Sequence, residues 1–326
     1  MEQNQTNQIK QSENTGQIIG ILKDKQIEFA VGKESGKQYA KGHLVIEVQT
    51  PEGLSEIKVH VMQMALKSDG TENGLYKSLQ TIHSEYKTKV ANGEDADLVK
   101  VDCSLEMNDY YSKGKDEVVS FPQVKGFIFN RVTDKNTAHM AQFKVGGYVE
   151  SIVDKDNGDA NVNLVSIGYG AKAFPLTITV PAETAGLFKS IYYVGCTADF
   201  NFDLINAVEI IKETQQVGFG KPMEKTTEKR TIMNKVFGAS NPYTMGYTQE
   251  EIVQVNQVRK LMLETKLTEG REKAQSAPQG GQSQNGFQAG FGGPAPQAPQ
   301  AGQGFGQAPT QGFGGAGFST QSPFAK

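Results

Sequence analysis

The span Lys125-Gly126-Phe127-Ile128-Phe129-Asn130-Arg131-Val132 brings two flat rings and two cations together. Read as a strand, it sends alternate side chains to opposite faces. Lys125, Phe127, Phe129 and Arg131 then share one side, and Ile128 and Val132 the other. That side suits a single-stranded nucleic acid, because any base can stack on Phe while Lys and Arg follow the phosphates. The competing reading is a strand buried on both faces, its two Phe in the core and its cations reaching water at either end. Taken alone, the stretch balances the two. Lys125, Gly126, Phe127 and Phe129 also match the K/R-G-F/Y-G/A-F-V-x-F/Y signature of the RRM sheet, and Ile128, Asn130 and Val132 break it.

Further groups of the same kind are Tyr76, Tyr110 and Tyr111 for stacking and Lys77 and Lys87 for phosphates. Tyr110 and Tyr111 are adjacent, so in an extended segment only one of them faces a given groove. Lys77 and Lys87 fall on the polar face of a predicted helix, where a solvated role is the default.

Constellations for catalysis do not assemble. Gly32-Lys33-Glu34-Ser35-Gly36-Lys37-Gln38 is one residue short of a P-loop and lacks its Ser/Thr, and Gly168-Tyr169-Gly170 has no third glycine. His43, His60, His83 and His139 are scattered, and structural roles are expected for them. Asp154-Lys155-Asp156-Asn157-Gly158-Asp159 has the look of a calcium loop. Its Gly sits one position early and its flanks are strand-like, so a hairpin turn is expected instead. Cys103 and Cys196 stand far apart without a CxxC partner, which points to buried thiols in a reducing compartment. No catalysis, metal or cofactor is expected.

The 326 residues are 37% hydrophobic and 21% charged, with a net charge of −3. Beyond Glu272 the only charges are Lys273 and Lys326, so that tail carries +2 and everything before it −5. Such a body is poorly suited to coating duplex DNA by charge alone. A single strand needs only a local basic groove, since stacking carries part of the affinity.

The elements that must hold these residues are mostly strands. Residues 1–16, rich in Gln, Asn and Thr with no apolar run, read as a disordered leader rather than a signal peptide or membrane anchor, implying a cytoplasmic protein. Short β-type runs follow at 17–23, 26–31, 42–48 and 57–66, and the alternation of Ile57, Val59 and Val61 against Lys58 and His60 marks a strand with one wet face. Leu75, Leu79, Ile82 and Tyr86 predict a helix over 75–87. Strands at 97–105 and 117–121 complete the order of a five-stranded OB-type barrel. Pro122 opens a second series at 123–132, 141–153, 162–169 and 174–180, a short helix at 181–191, and last strands to 211.

The expected architecture is therefore mainly β, with two OB-like β-barrel units in tandem over 17–121 and 122–217. An irregular segment and C-terminal helix then occupy 218–273. Thr248-Gln249-Glu250-Glu251 is a capping box that starts this helix, predicted to run to about Lys266 with Ile252, Val255, Val258 and Met262 as its apolar stripe on the second barrel. Residues 274–326 form a disordered Gly/Gln/Phe-rich tail whose isolated Phe at 287, 291, 305, 313, 318 and 324 could engage partners.

Three stretches carry a family resemblance: Glu72-Asn73-Gly74-Leu75-Tyr76-Lys77-Ser78-Leu79 with Glu85-Tyr86-Lys87; Phe121 to Val132; and Val217-Gly218-Phe219-Gly220-Lys221-Pro222-Met223-Glu224-Lys225. On these the chain resembles the single-stranded DNA-binding proteins of phages of Gram-positive bacteria, a tandem-OB family active in genome replication. The resemblance implies a non-catalytic protein that coats single-stranded DNA in phage replication or recombination, with replication and recombination proteins as partners of the tail and no membrane. The tail resembles those of bacterial single-strand-binding proteins, with Pro323-Phe324 but no acidic cluster before it and Ala325-Lys326 after. The alternatives are a phage structural or assembly protein with a flexible interaction tail, and an RNA-binding regulator.

Overall fold

The computed structural model describes residues 9–33, 35–215 and 223–276, and of residues 208–215, 223–230 and 276 the backbone alone. β1 (Asn14–Val31), β2 (Gln38–Thr50) and β3 (Gly53–Met64) form an antiparallel meander. α1 (Gly74–Glu85), the short α2 (Lys89–Asn92) and a 3-10 turn (Gly93–Asp95) lead to β4 (Leu98–Ser112), which pairs with β1. β5 (Glu117–Val132) runs antiparallel to β4 and touches β3 in parallel at Val124 and Lys125. The ring β1-β2-β3-β5-β4 thus closes on β1, the Greek-key order of an OB barrel with its helix between the third and fourth strands.

The plan then repeats. β6 (Met140–Asp154), β7 (Ala160–Gly168) and β8 (Lys172–Val180) form a meander, α3 (Ala182–Ile191) follows, and β9 (Thr197–Gln215) and β10 (Met223–Ala239) complete a ring β6-β7-β8-β10-β9. β10 meets β8 in parallel at Lys235 and Thr179. The chain is thus mainly β, two OB-type barrels in tandem, followed by α4 (Gln249–Ser276).

Period-2 patterning builds the first barrel. Leu44, Ile46 and Val48 of β2 face Ile57, Val59 and Val61 of β3, all buried, while Val45, Lys58 and His60 between them stay half-wet. β1 serves β4 with its first half and β2 with its second, and a bulge between Leu22 and Asp24 makes the bend. Beyond that bend, Gly42 allows the close approach of β2 to Gln26 of β1. Its φ is +149° and a Cβ there would lie 1.9 Å from the Gln26 carbonyl oxygen. Asn73 caps α1 by accepting from the Leu75 amide, and Leu79 and Ile82 plug the barrel end. The Lys25 ammonium closes the same helix, donating to the carbonyls of Ile82, His83 and Tyr86 at 2.8, 2.8 and 2.6 Å.

One apolar core runs through both barrels. β1 leaves the first to pair with β6 from Asn14 opposite Val145 to Ile19 opposite Met140, and the stacked rings of Phe143 and Phe202, 5.9 Å apart, lie beneath that seam.

Several boundaries differ from the sequence reading. The break between barrels lies between Val132 and Met140, not at Pro122, which sits inside β5 opposite Met107. At that point β5 is an edge, because β3 joins only from Val124, so a residue without an amide proton is tolerated. Part of the segment expected to be irregular, residues 223–239, is β10, paired with β9 along its length. Residues 9–16, expected in the leader, are built into the fold. The Ser12 amide donates to the Ile167 carbonyl, Ser12 Oγ lies 2.8 Å from Tyr247 Oη, and β1 begins at Asn14. Residues 1–8, the Gly218–Pro222 stretch and the tail from 277 with its six Phe lie outside the described residues.

α4 begins at the expected capping box, where Thr248 Oγ1 accepts from the Glu251 amide and the Glu251 carboxylate accepts from the Thr248 amide. It runs a further ten residues beyond Lys266, and Val255 is fully buried against Tyr148, Val165 and Ile167 of the second barrel. From Arg259 onward it crosses to the first barrel, contrary to expectation. There Arg259 grips buried Asp109 of β4 and bonds Ser120, Lys266 donates to the Asp109 carbonyl, and Arg271 pairs with Asp116 at 2.8 Å. Burial pushes the Asp109 carboxyl up, but Arg259, Ser120 and Lys266 together hold it below the ordinary carboxylate range. Removing Arg259 leaves that carboxylate buried without its partner. R259A should therefore lose about 3–5 kcal/mol of stability in urea denaturation, and an unchanged midpoint would show that α4 is not tied down there.

Candidate nucleic-acid interface

The decisive local feature of the 125–132 span is a bulge. β4 and β5 pair Cys103 with Gly126 and Asp102 with Ile128, so Phe127 is skipped. Side chains at odd positions up to Lys125 face outward; past the bulge the parity reverses. Phe129 turns inward, 7% exposed, among Val59, Val101 and the other core residues. Gly126 makes the room, since a Cβ there would come within 2.6 Å of both the Phe129 ring and Val59. The expected shared face of Phe127 and Phe129 therefore does not form, and Phe129 is a core residue with no ring to offer. Phe127 is half-buried and lines a surface groove with Ile128.

The other candidates divide as well. Arg131 lies about 20 Å beyond Lys125 along β5, where its guanidinium stacks 4.5 Å from the Tyr86 ring centroid, pairs with Asp97 at 3.1 Å and donates to the Glu85 carbonyl. It ties the strand to the end of α1. Tyr76 packs edge-on against Phe29, 5.7 Å away, as part of the plug. Lys77 is exposed and paired with Glu72, and Lys87, just past the end of α1, is exposed. Tyr110 and Tyr111 point oppositely, as adjacency requires. Tyr110 is 42% exposed, edge-on to Phe121 at 6.0 Å on the outer face of the β4–β5 ribbon. Tyr111 donates to Asp116 and lies against Gly270 of α4.

Lys125 is the candidate that lands on a coherent surface. It stands beside His60 across the parallel β3–β5 contact, 3.1 Å from Glu106. From there the outer face of β2 and β3 presents cross-strand pairs Val45 with Lys58, His43 with His60, Lys41 with Met62 and Tyr39 with Met64. Rings, thioethers and ammonium groups thus alternate on one half-exposed sheet face. The Lys41 ammonium sits 5.7 Å from the Tyr39 ring centroid, and the imidazoles of His43 and His60 lie 6.1 Å apart. Burial, then the Lys58 charge, then His60, push His43 down to about 4, and burial and Lys58 lower His60 too. Both are neutral at pH 7 and present rings rather than charge. The β1–β2 loop adds Lys33 and Lys37, whereas Lys113 and Lys115, in the β4–β5 loop, lie more than about 25 Å from Lys125 along β5. Among the described residues no group of three His, Cys, Asp or Glu could hold a metal ion, and no helix is long and apolar enough to cross a membrane.

A model of the YorF family matches residues 12–269, which takes in both barrels and most of α4. The chain belongs to the YorF family. No curated protein sequence matches it. Among solved structures it is similar to a wild-type single-stranded DNA binding protein from Thermus aquaticus, at 14% identity and a TM-score of 0.44, covering 74% of this chain and 97% of that one. A deletion mutant of the Thermus protein gives 12% identity and 0.44, covering 73% and 98%. A Replication Protein A heterotrimer bound to ssDNA gives 9% identity and 0.20, covering 78% and 53%. Likeness this shallow carries no function across; the surface of this YorF-family chain must argue for itself.

Sequence reasoning passed over Tyr39, Lys41, His43, His60 and Met62, although the alternation around Lys58 and His60 had already marked their face as wet. Two measurements test the placements. F129A should lose about 3–5 kcal/mol in chemical denaturation while F127A loses far less; equal losses would contradict the bulge. For His43 the folded form binds its proton less readily than the unfolded chain. Stability is therefore full above about pH 6.5 and declines as pH falls towards 4. H43Q should flatten the urea midpoint between those values, and an unflattened curve would mean that His43 is not held neutral.

Proposed function

We propose that the chain is a non-catalytic binder of single-stranded DNA that coats strands parted during replication and recombination; the phage setting rests on the sequence resemblance. The observation that carries the reading is the outer β2–β3 face of the first barrel, where Tyr39, His43, His60, Met62 and Met64 interleave with Lys41, Lys58 and Lys125. On OB folds that face and the loops flanking it take oligonucleotides or oligosaccharides. Four lysines on it or in the β1–β2 loop favour the polyanion, namely Lys33, Lys37, Lys41 and Lys58, with Lys125 beside them.

In this reading bases stack on Tyr39 and the two neutral imidazoles, and further along the β4–β5 ribbon on Tyr110 and Phe127. Lys41, Lys58 and Lys125 neutralise phosphates. Stacking requires bases freed from a partner strand, so a chain with this modest charge prefers single strands to duplex. Lys77, Lys87 and Arg131 serve at most as outlying cations at the α1 end. Tyr76 and Tyr111 hold the fold. Partners for the tail belong to this proposal too.

Fluorescence anisotropy with a labelled dT oligonucleotide across a salt series tests it, with duplex and matched RNA as competitors. The wild type should bind the single strand more tightly than duplex and lose affinity as salt rises. Replacing Lys41, Lys58 and Lys125 together with Ala should lower the slope of log K against log salt by about 2, at roughly 0.7 for each phosphate no longer neutralised. Absence of binding at low salt, or an unchanged slope, defeats the reading.

A further inference from the structure

The fifth strands of the two barrels carry the same device. β5 meets the third strand of its barrel in parallel at Lys125, opposite His60, and β10 meets the third strand of its own at Lys235, opposite Thr179. Two residues beyond each lysine the ladder to the fourth strand skips a phenylalanine. β5 passes over Phe127 between Gly126 and Ile128, and β10 passes over Phe237 between Val236 and Gly238. A bulge leaves its residue unpaired and re-aims the side chain. Here both rings are aimed at one place: Phe127, half-buried, and Phe237, 55% exposed, line the same open groove of about 530 Å³ at the seam between the barrels.

The groove's other walls are suited to nucleotides. Asn201 offers a carboxamide, as does Gln142, whose Nε2 also donates to Asp203 at 3.1 Å, and Lys144, 3.1 Å from Asp199, offers an ammonium group. The carboxylate in the lining, Asp102, already accepts from the Gln17 side-chain Nε2 at 3.1 Å. Amides that can meet base edges, two flat rings and one cation make a site for bases more than for phosphates. It also continues the outward line of the β4–β5 ribbon, since Phe127 lies two residues past Lys125.

We propose that this groove is a second subsite for the same single strand, holding one unpaired base against Phe127 and another against Phe237, with Lys144 on the intervening backbone. The strand then passes from the first barrel to the second across their seam. This rests on the reading of the chain as a single-strand binder.

The chain contains no tryptophan, so F237W places a lone indole in the groove. In the full chain, F237W emission should be quenched on adding a dT oligonucleotide, whereas L187W, on exposed α3, should be unmoved. By anisotropy, F237A and F127A should each weaken binding of a long dT oligonucleotide by about 5- to 150-fold. F237Y should retain affinity, and thermal melting should show each variant folded. If the wild type binds dT but F237W is not quenched and F237A binds normally, this subsite is wrong and the primary face stands. If the wild type does not bind dT at all, both fall.

Discussion

Each barrel is closed by a parallel contact only one or two residues long, Val59 and His60 with Val124 and Lys125 in the first, Thr179 with Lys235 in the second. Closure removes the open edges that a five-stranded sheet would otherwise expose, and it forces the fifth strand to serve two partners within a few residues. The bulge follows from that demand. By spending one residue outside the ladder, β5 can send Phe129 into the core and still keep Lys125 and Phe127 on the outer side. The outward placement of Lys125 and Phe127 is thus a by-product of how the ring is shut.

The second constraint is the weld between the barrels. β1 belongs to the first barrel but pairs along its opening residues with β6, and Ser12 and Glu13 ahead of it bond to the second barrel. α4 crosses back, its Val255 in the second barrel and its Arg259 on Asp109 of the first. The chain is therefore stitched at both ends of its folded part. This leaves the outer faces of β2–β3 and of the β4–β5 ribbon as one platform, while α4 covers the ribbon's other side.

Most elements were legible in the sequence because they follow from local periodicity. The 3.6-residue spacing of Leu75, Leu79 and Ile82 gave α1, Thr248 with Glu251 gave the start of α4, and Gly158, at φ +88°, closes the hairpin where a calcium loop was set aside. What escaped was non-local. Whether Phe129 is inside depends on a skipped partner in β4. Pro122 marks a break in most strands but not in one that is an edge at that point. β10 reads as irregular until β9 is known to lie beside it. Phe237 became visible only when the two fifth strands were aligned through their parallel contacts, although Lys-x-Phe at 125 and at 235 stood in the sequence throughout.

The central claim is that the outer face of the first barrel receives unpaired nucleotides. Hydrogen–deuterium exchange of the full chain, with and without a saturating dT oligonucleotide, tests it most directly. Slower exchange is predicted in Tyr39–Val45, Lys58–Met64 and Phe121–Ile128, with no change where α4 covers Asp109 and Tyr111. Unaltered exchange on those strands under saturation, or protection confined to the α4 side, would contradict it.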